Sequence, residues 1–143
     1  VIRDTTIQRV IMNSLSDGVL REKQRQEEGL EACFRLVSDF FGAVQKIFRD
    51  DWSEHTPKTS RLVHGCGLVA MGYVMEYLHS TTGAESTTQF SKGLVRLKSE
   101  TSWTSGSWNF GPDNVRKWNS LQNVPKDYKE LSYFLLRVLK QSV

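Results

Sequence analysis

Gly65-Cys66-Gly67-Leu68-Val69-Ala70 has the spacing of the GxGxxG/A fingerprint, in which glycines let backbone approach a pyrophosphate at a helix N-terminus. That chemistry needs a preceding strand inside a βαβ unit, and Arg61 to His64 is too short and polar to be one. The segment therefore reads as a helix packed tightly against its neighbours, and no cofactor is expected. His55, His64, His79 and Cys66 are candidate zinc ligands, but no pair has metal-site spacing, so no metal is expected either. His64, close to Arg61, is a candidate for an anion contact or for a hydrogen bond at a helix start, the second being favoured. Asp50, Asp51 and Glu54 gather beside Trp52, a pattern of solvated surface rather than of a paired acid and base. Neither Cys33 nor Cys66 carries the signature of an activated thiol.

Phosphate contact has more support. Lys92, Arg96 and Lys98 fall on one predicted helix, and Arg116 and Lys117 fall in a tryptophan-rich segment, so these five are the candidate nucleic-acid-binding cations. Trp108 and Trp118 join them as stacking or loop-anchoring groups. Against stacking stands the tendency of Trp103, Trp108, Phe110 and Trp118 to fold inward and pin a segment that lacks regular hydrogen bonding, which is the favoured reading of the aromatics. The overall field adds little, because 19 basic residues face 16 acidic ones for a formal charge of +3.

These groups must be positioned by helices. A chain of 143 residues with 38% hydrophobic and 24% charged content is expected to form a single domain, 1–143, with one core. The first predicted helix covers residues 5 to 15, with Ile7, Val10, Ile11 and Leu15 on one face. A second runs from Arg21 to Arg49, its seam drawn through Leu30, Phe34, Val37, Phe41, Val44 and Phe48, and its first residues, to Glu28, almost wholly polar. The third, from a cap at Thr59 or Ser60 to His79, is apolar nearly all round and belongs at the centre, with the second and last helices against it. Its apolar core, Gly65 to Met75, is shorter than a membrane span, so no membrane partner is expected. Ser86 and Gln89 have capping-box spacing for a fourth helix to Glu100 that turns Phe90, Leu94 and Leu97 inward. From Trp103 to Val124 the helical period vanishes, and a long structured loop is expected before a last helix from Pro125. The fold class is thus mainly α, with about five helices around a central apolar one. The two cysteines form no disulfide framework, which suits a reducing cytoplasm.

Ser102-Trp103-Thr104-Ser105-Gly106-Ser107-Trp108-Asn109-Phe110-Gly111, then Arg116-Lys117-Trp118-Asn119-Ser120-Leu121-Gln122-Asn123 and Lys126-Asp127, resemble the C-terminal region of DGQHR-domain proteins, bacterial proteins akin to DndB. Arg61-Leu62-Val63-His64-Gly65 with Gly67-Leu68-Val69-Ala70-Met71-Gly72 is similar to the same family, so the resemblance spans about residues 36 to 140. It implies a bacterial protein of DNA-modification or defence loci, linked to DNA-binding regulation. No Asp-Gly-Gln-His-Arg motif occurs here. The chain is therefore expected to be the helical C-terminal part of a longer protein, with no catalytic residues of its own. Expected partners are DNA, the N-terminal domain of the same protein and a second copy. Two alternatives stay open: an interaction or dimerisation domain, and one half of a split enzyme site using Arg61, His64 and Asn119.

Overall fold

The structure, a computed structural model, describes residues 29–141. The helix expected over residues 5 to 15 and the polar stretch Arg21 to Glu28 lie outside it. The described part is mainly helical. In chain order it comprises α1 (Gly29–Ile47), the single turn α2 (Arg49–Trp52), α3 (Gly65–Thr82), α4 (Thr87–Leu94) extended by a 3-10 turn (Val95–Leu97), a hairpin of β1 (Ser107–Asn109) and β2 (Val115–Lys117), and α5 (Pro125–Gln141).

α3 is central because it has almost no polar face to give to solvent. Every residue from Cys66 to Gly72, with Val74, Met75 and Leu78, is buried. Its start lies five residues later than Ser60. Thr59 and Ser60 serve the preceding turn instead: the Thr59 hydroxyl accepts from the Thr56 N–H at 2.9 Å, and that of Ser60 donates to the Asp51 carbonyl at 2.7 Å. The cap is His64, whose Nδ1 accepts from the Cys66 N–H at 3.1 Å. The other end closes on Gly83, whose φ of 71° is the left-handed conformation that lets its N–H reach the His79 carbonyl. α5 packs along α3, as expected, whereas α1 finds its main partner in α4.

The α1 seam departs from the heptad series at Phe34, while the Leu30 side chain lies outside the described ones. Cys33, Leu36, Val37, Phe40, Phe41, Val44 and Phe48 are buried, but Phe34 is 59% exposed. A straight helix drifts about 20° per seven residues, so the series 34, 41, 48 slides off the buried face at its first member. At α4, the Ser86 hydroxyl accepts from the Gln89 N–H, and Gln89 returns a carbonyl to the N–H of Glu85, one residue earlier than in a standard capping box. α4 gives way to the 3-10 turn at Val95, short of Glu100, while Phe90, Leu94 and Leu97 are buried as expected.

The expected loop from 103 to 124 contains the antiparallel hairpin, paired Ser107 to Lys117, Trp108 to Arg116 and Asn109 to Val115. Its bend, Gly111 to Asn114, closes with the Asn114 N–H on the Gly111 carbonyl. Trp103 and Trp108 are both buried and meet edge-to-face at 4.9 Å. Trp103 continues to Phe48, just past the end of α1, and Trp108 to Phe110 and to Phe134 of α5. Each such pair contributes about 0.5–1.5 kcal/mol beyond area burial, so this row of rings is what ties a short hairpin to two helices.

Gly67 is where α3 touches the chain that precedes it: a Cβ there would overlap the Arg61 carbonyl. Gly67→Ala should therefore destabilise the fold by about 1–3 kcal/mol or more in urea denaturation. Gly42→Ala, in α1 with only an ordinary 3.6 Å contact to the Thr87 hydroxyl, should stabilise it by about 0.5–1 kcal/mol. Equal effects at the two positions would contradict this assignment of the backbone contact.

Candidate nucleic-acid interface

The tryptophan-rich segment is held by Arg61. This side chain is only 8% exposed and, among the described residues, has no carboxylate partner. Its Nε donates to the Leu121 carbonyl at 2.9 Å, Nη1 to that of Pro57 at 2.6 Å and Nη2 to that of Asn119 at 2.6 Å. The Arg61 N–H donates to the Trp103 carbonyl, and its guanidinium lies 5.8 Å from the centre of the half-buried Trp118 ring. Three carbonyls of irregular backbone, which water would otherwise have to solvate, are satisfied by one rigid fork.

A second clamp lies beside it. Arg116 donates through Nη1 to Asp127 Oδ1 at 3.0 Å and through Nε and Nη2 to Ser120, joining β2 to the first turn of α5. Burial pushes the Asp127 carboxyl up, but hydrogen bonds from Arg116 and the Gln122 N–H outweigh it and hold it below the usual range.

These contacts decide what each predicted residue can offer. Trp108, 1% exposed, takes the anchoring role and has no face open for a base. Trp118 keeps part of its surface but is engaged by Arg61. Arg116 is half-buried and its charge is paired with Asp127. Lys92, Lys98 and Lys117 are exposed. Arg96 is half-buried, donates to the Leu139 carbonyl at 3.3 Å and lines a shallow open groove with Lys92, Gln89, Gly93 and Thr82. The five cations do not form one patch. Arg116 is anchored at Asp127 and Arg96 at Leu139, points about 18 Å apart along α5 at 1.5 Å per residue.

The other constellations are also occupied. The start of α3 that a pyrophosphate would need is filled: His64 caps it, the Asn123 side chain lies against Gly65, and the Arg61 carbonyl lies against Gly67. Arg61 and Asn119 do meet, but through the Asn119 backbone carbonyl. Burial pushes the Cys66 thiol up to about 12, so it is a protonated core residue and not a nucleophile. His55 bonds Thr59 and His79 bonds the Ala84 carbonyl. Among the described residues no group of three or more His, Cys, Asp or Glu is placed to hold a metal ion. Nor is any described helix long and apolar enough to cross a membrane. No family model, curated protein or solved structure matches the chain.

Sequence reasoning missed both clamps, since Arg61 reaches 60 residues to Leu121 and Arg116 eleven to Asp127. The one available signal was an arginine directly before the apolar pair Leu62-Val63.

Two measurements test this site. Arg61→Lys keeps the charge but not the fork, and should cost about 2–4 kcal/mol in chemical denaturation because carbonyls are left unpaired. Burial, helped by the nearby Arg61 charge, depresses His64 from 6.5 to about 4. The unfolded chain therefore binds the extra proton first, so the His64 contribution is whole above pH 6.5 and lost as pH falls toward 4. His64→Asn, which caps without titrating, should flatten the stability profile in that window; an unchanged slope would show that the cap does not sense protonation.

Proposed function

We propose that this chain is a non-catalytic helical module of a DGQHR/DndB-like bacterial protein that supports DNA binding in a DNA-modification or defence setting, in the cytoplasm. The observation that carries the reading is a division of labour among polar side chains. Groups capable of chemistry, Arg61, His64, Cys66, Arg116 and Asp127, are held by internal hydrogen bonds or burial. Exposed cations such as Lys92, Lys98 and Lys117 remain open to a polyanion. The family resemblance supports it from the other side. The stretches that carry it, 61 to 72, 102 to 111, 116 to 123 and 126 to 127, are those that the two arginine clamps and the tryptophan pair draw together.

A second reading, assembly with the rest of a longer chain or with a second copy, is favoured by Phe34, an apolar ring left 59% exposed near the start of α1. Light scattering that shows the same monomer for the chain and for Phe34→Ser would count against a second copy.

For DNA support, fluorescence anisotropy with labelled random duplex should give micromolar binding at low salt that weakens steeply toward physiological salt, as expected when phosphates release counterions. Absence of binding at low salt would overturn the reading.

A further inference from the structure

α5 turns Leu131, Leu135, Val138 and Leu139 into the core. Its opposite side carries Lys126, Lys129, Tyr133, Arg137 and Lys140, all exposed. At 100° per residue these five fall within a stripe about 80° wide and about 21 Å long. The only acid within about 20° of it, Glu130, is turned to the hairpin, where its carboxylate accepts from the Asn114 side chain at 2.9 Å. None of the four cations is within ion-pairing distance of a carboxylate among the described residues. Arg137 and Lys140 lie instead over rings, Phe134 at 5.6 Å and Tyr77 at 5.9 Å. Tyr133, at the middle of the stripe, is 70% exposed.

An ordinary solvated helix face mixes signs, and α1 does so, with Glu31 paired to Arg35 one turn away. The α5 face does not. We propose that this stripe, Lys126, Lys129, Tyr133, Arg137 and Lys140, is the surface that contacts the phosphate backbone of duplex DNA. The inference deepens the DNA-binding reading above and rests on it for the identity of the polyanion.

Charge complementarity is the first argument: a duplex presents one negative charge per about 1.7 Å of axis, so 21 Å of cationic helix spans several phosphates. The second is geometry. Exposed Lys117, next to Arg116 in β2, lies toward the Asp127 end of α5, and exposed Lys92, which shares a groove with Arg96, toward the Leu139 end. The two lysines thus lie toward opposite ends of the helix that carries the stripe. An anionic membrane is the poorer fit, because an interfacial helix inserts an apolar face and that of α5 is in the core.

The test uses the full chain, labelled random duplex and a salt series, with folding followed by circular dichroism. Lys129→Glu with Arg137→Glu should weaken binding at least about tenfold near 100 mM salt and reduce the slope of log affinity against log salt by about two. Lys129→Gln with Arg137→Gln, which adds no negative charge, should follow in the same direction and replaces the reversal if that variant fails to fold. Tyr133→Ala should weaken binding several-fold with the salt slope unchanged. If the stripe variants bind as the unaltered chain does while Lys92→Glu with Lys117→Glu abolishes binding, the stripe is overturned and the DNA reading stands. If the unaltered chain binds no DNA at low salt, or binds only vesicles of anionic lipid, both fall.

Discussion

A buried guanidinium held by backbone carbonyls is the constraint on which the rest of this structure depends. Among the described residues, Arg61 and Asp127 are the charged groups removed from water, and burial lowers the proton affinity of Arg61. What offsets the lost hydration is a set of backbone carbonyls at Pro57, Asn119 and Leu121. The cation needs the loop, and the loop needs the cation. Neither can be optimised alone, because backbone carbonyls aimed inward from an irregular segment have no ladder or helix to satisfy them. The position of α3 then follows. Its first turn must pass close enough to the Arg61 carbonyl that a side chain at Gly67 does not fit.

The tryptophans complete what Arg61 begins. Trp103 and Trp108 supply area where two three-residue strands supply almost none, and an isolated hairpin of that size is not stable in water. Their indole N–H groups are buried without a hydrogen-bond partner among the described residues. What the rings offer in return is their edge-to-face meeting at 4.9 Å. The segment therefore gains its rigidity from ring packing and gives up some polar satisfaction for it. That trade leaves Trp108 as an anchor with no free face.

How far the sequence reveals this depends on the distance over which each interaction acts. α3, α4 and α5 are legible because the steps that define them are three or four residues long, and the Ser86 cap is legible because Gln89 is its near neighbour. The hairpin is not, since strands of three residues hold too little alternation to register against a background of Gly, Ser and Asn. Nor is the late start of α3: Thr59 and Ser60 are good caps by residue type, and what displaces them is the engagement of Arg61 with residues sixty positions away. Among the candidate contact residues, Lys92, Lys98 and Lys117 are exposed as their types suggest, while Arg116 is held by a partner that charge counting does not reveal. The outer face of α5 was within reach of the same periodicity that locates its core.

The charges on α5 can be weighed against what the helix itself needs. Asp127 in the first turn and Lys140 in the last both complement the macrodipole, an effect of about 0.3–1 kcal/mol each at an exposed end. Lys126 opposes it at the N-terminal end, and Lys129 gains nothing from it in mid-helix. No acid stands four residues before Lys126 or Lys129 or four residues after either on the exposed face, apart from Glu130, which is committed to Asn114. Helix stability therefore accounts for Lys140 and Asp127 but not for the cations at 126 and 129. The need for solubility does not single out one sign, and a mixed face such as that of α1 would serve it equally. What remains is a field directed outward from one side of the molecule. Such a field is of use only where something negatively charged approaches that side.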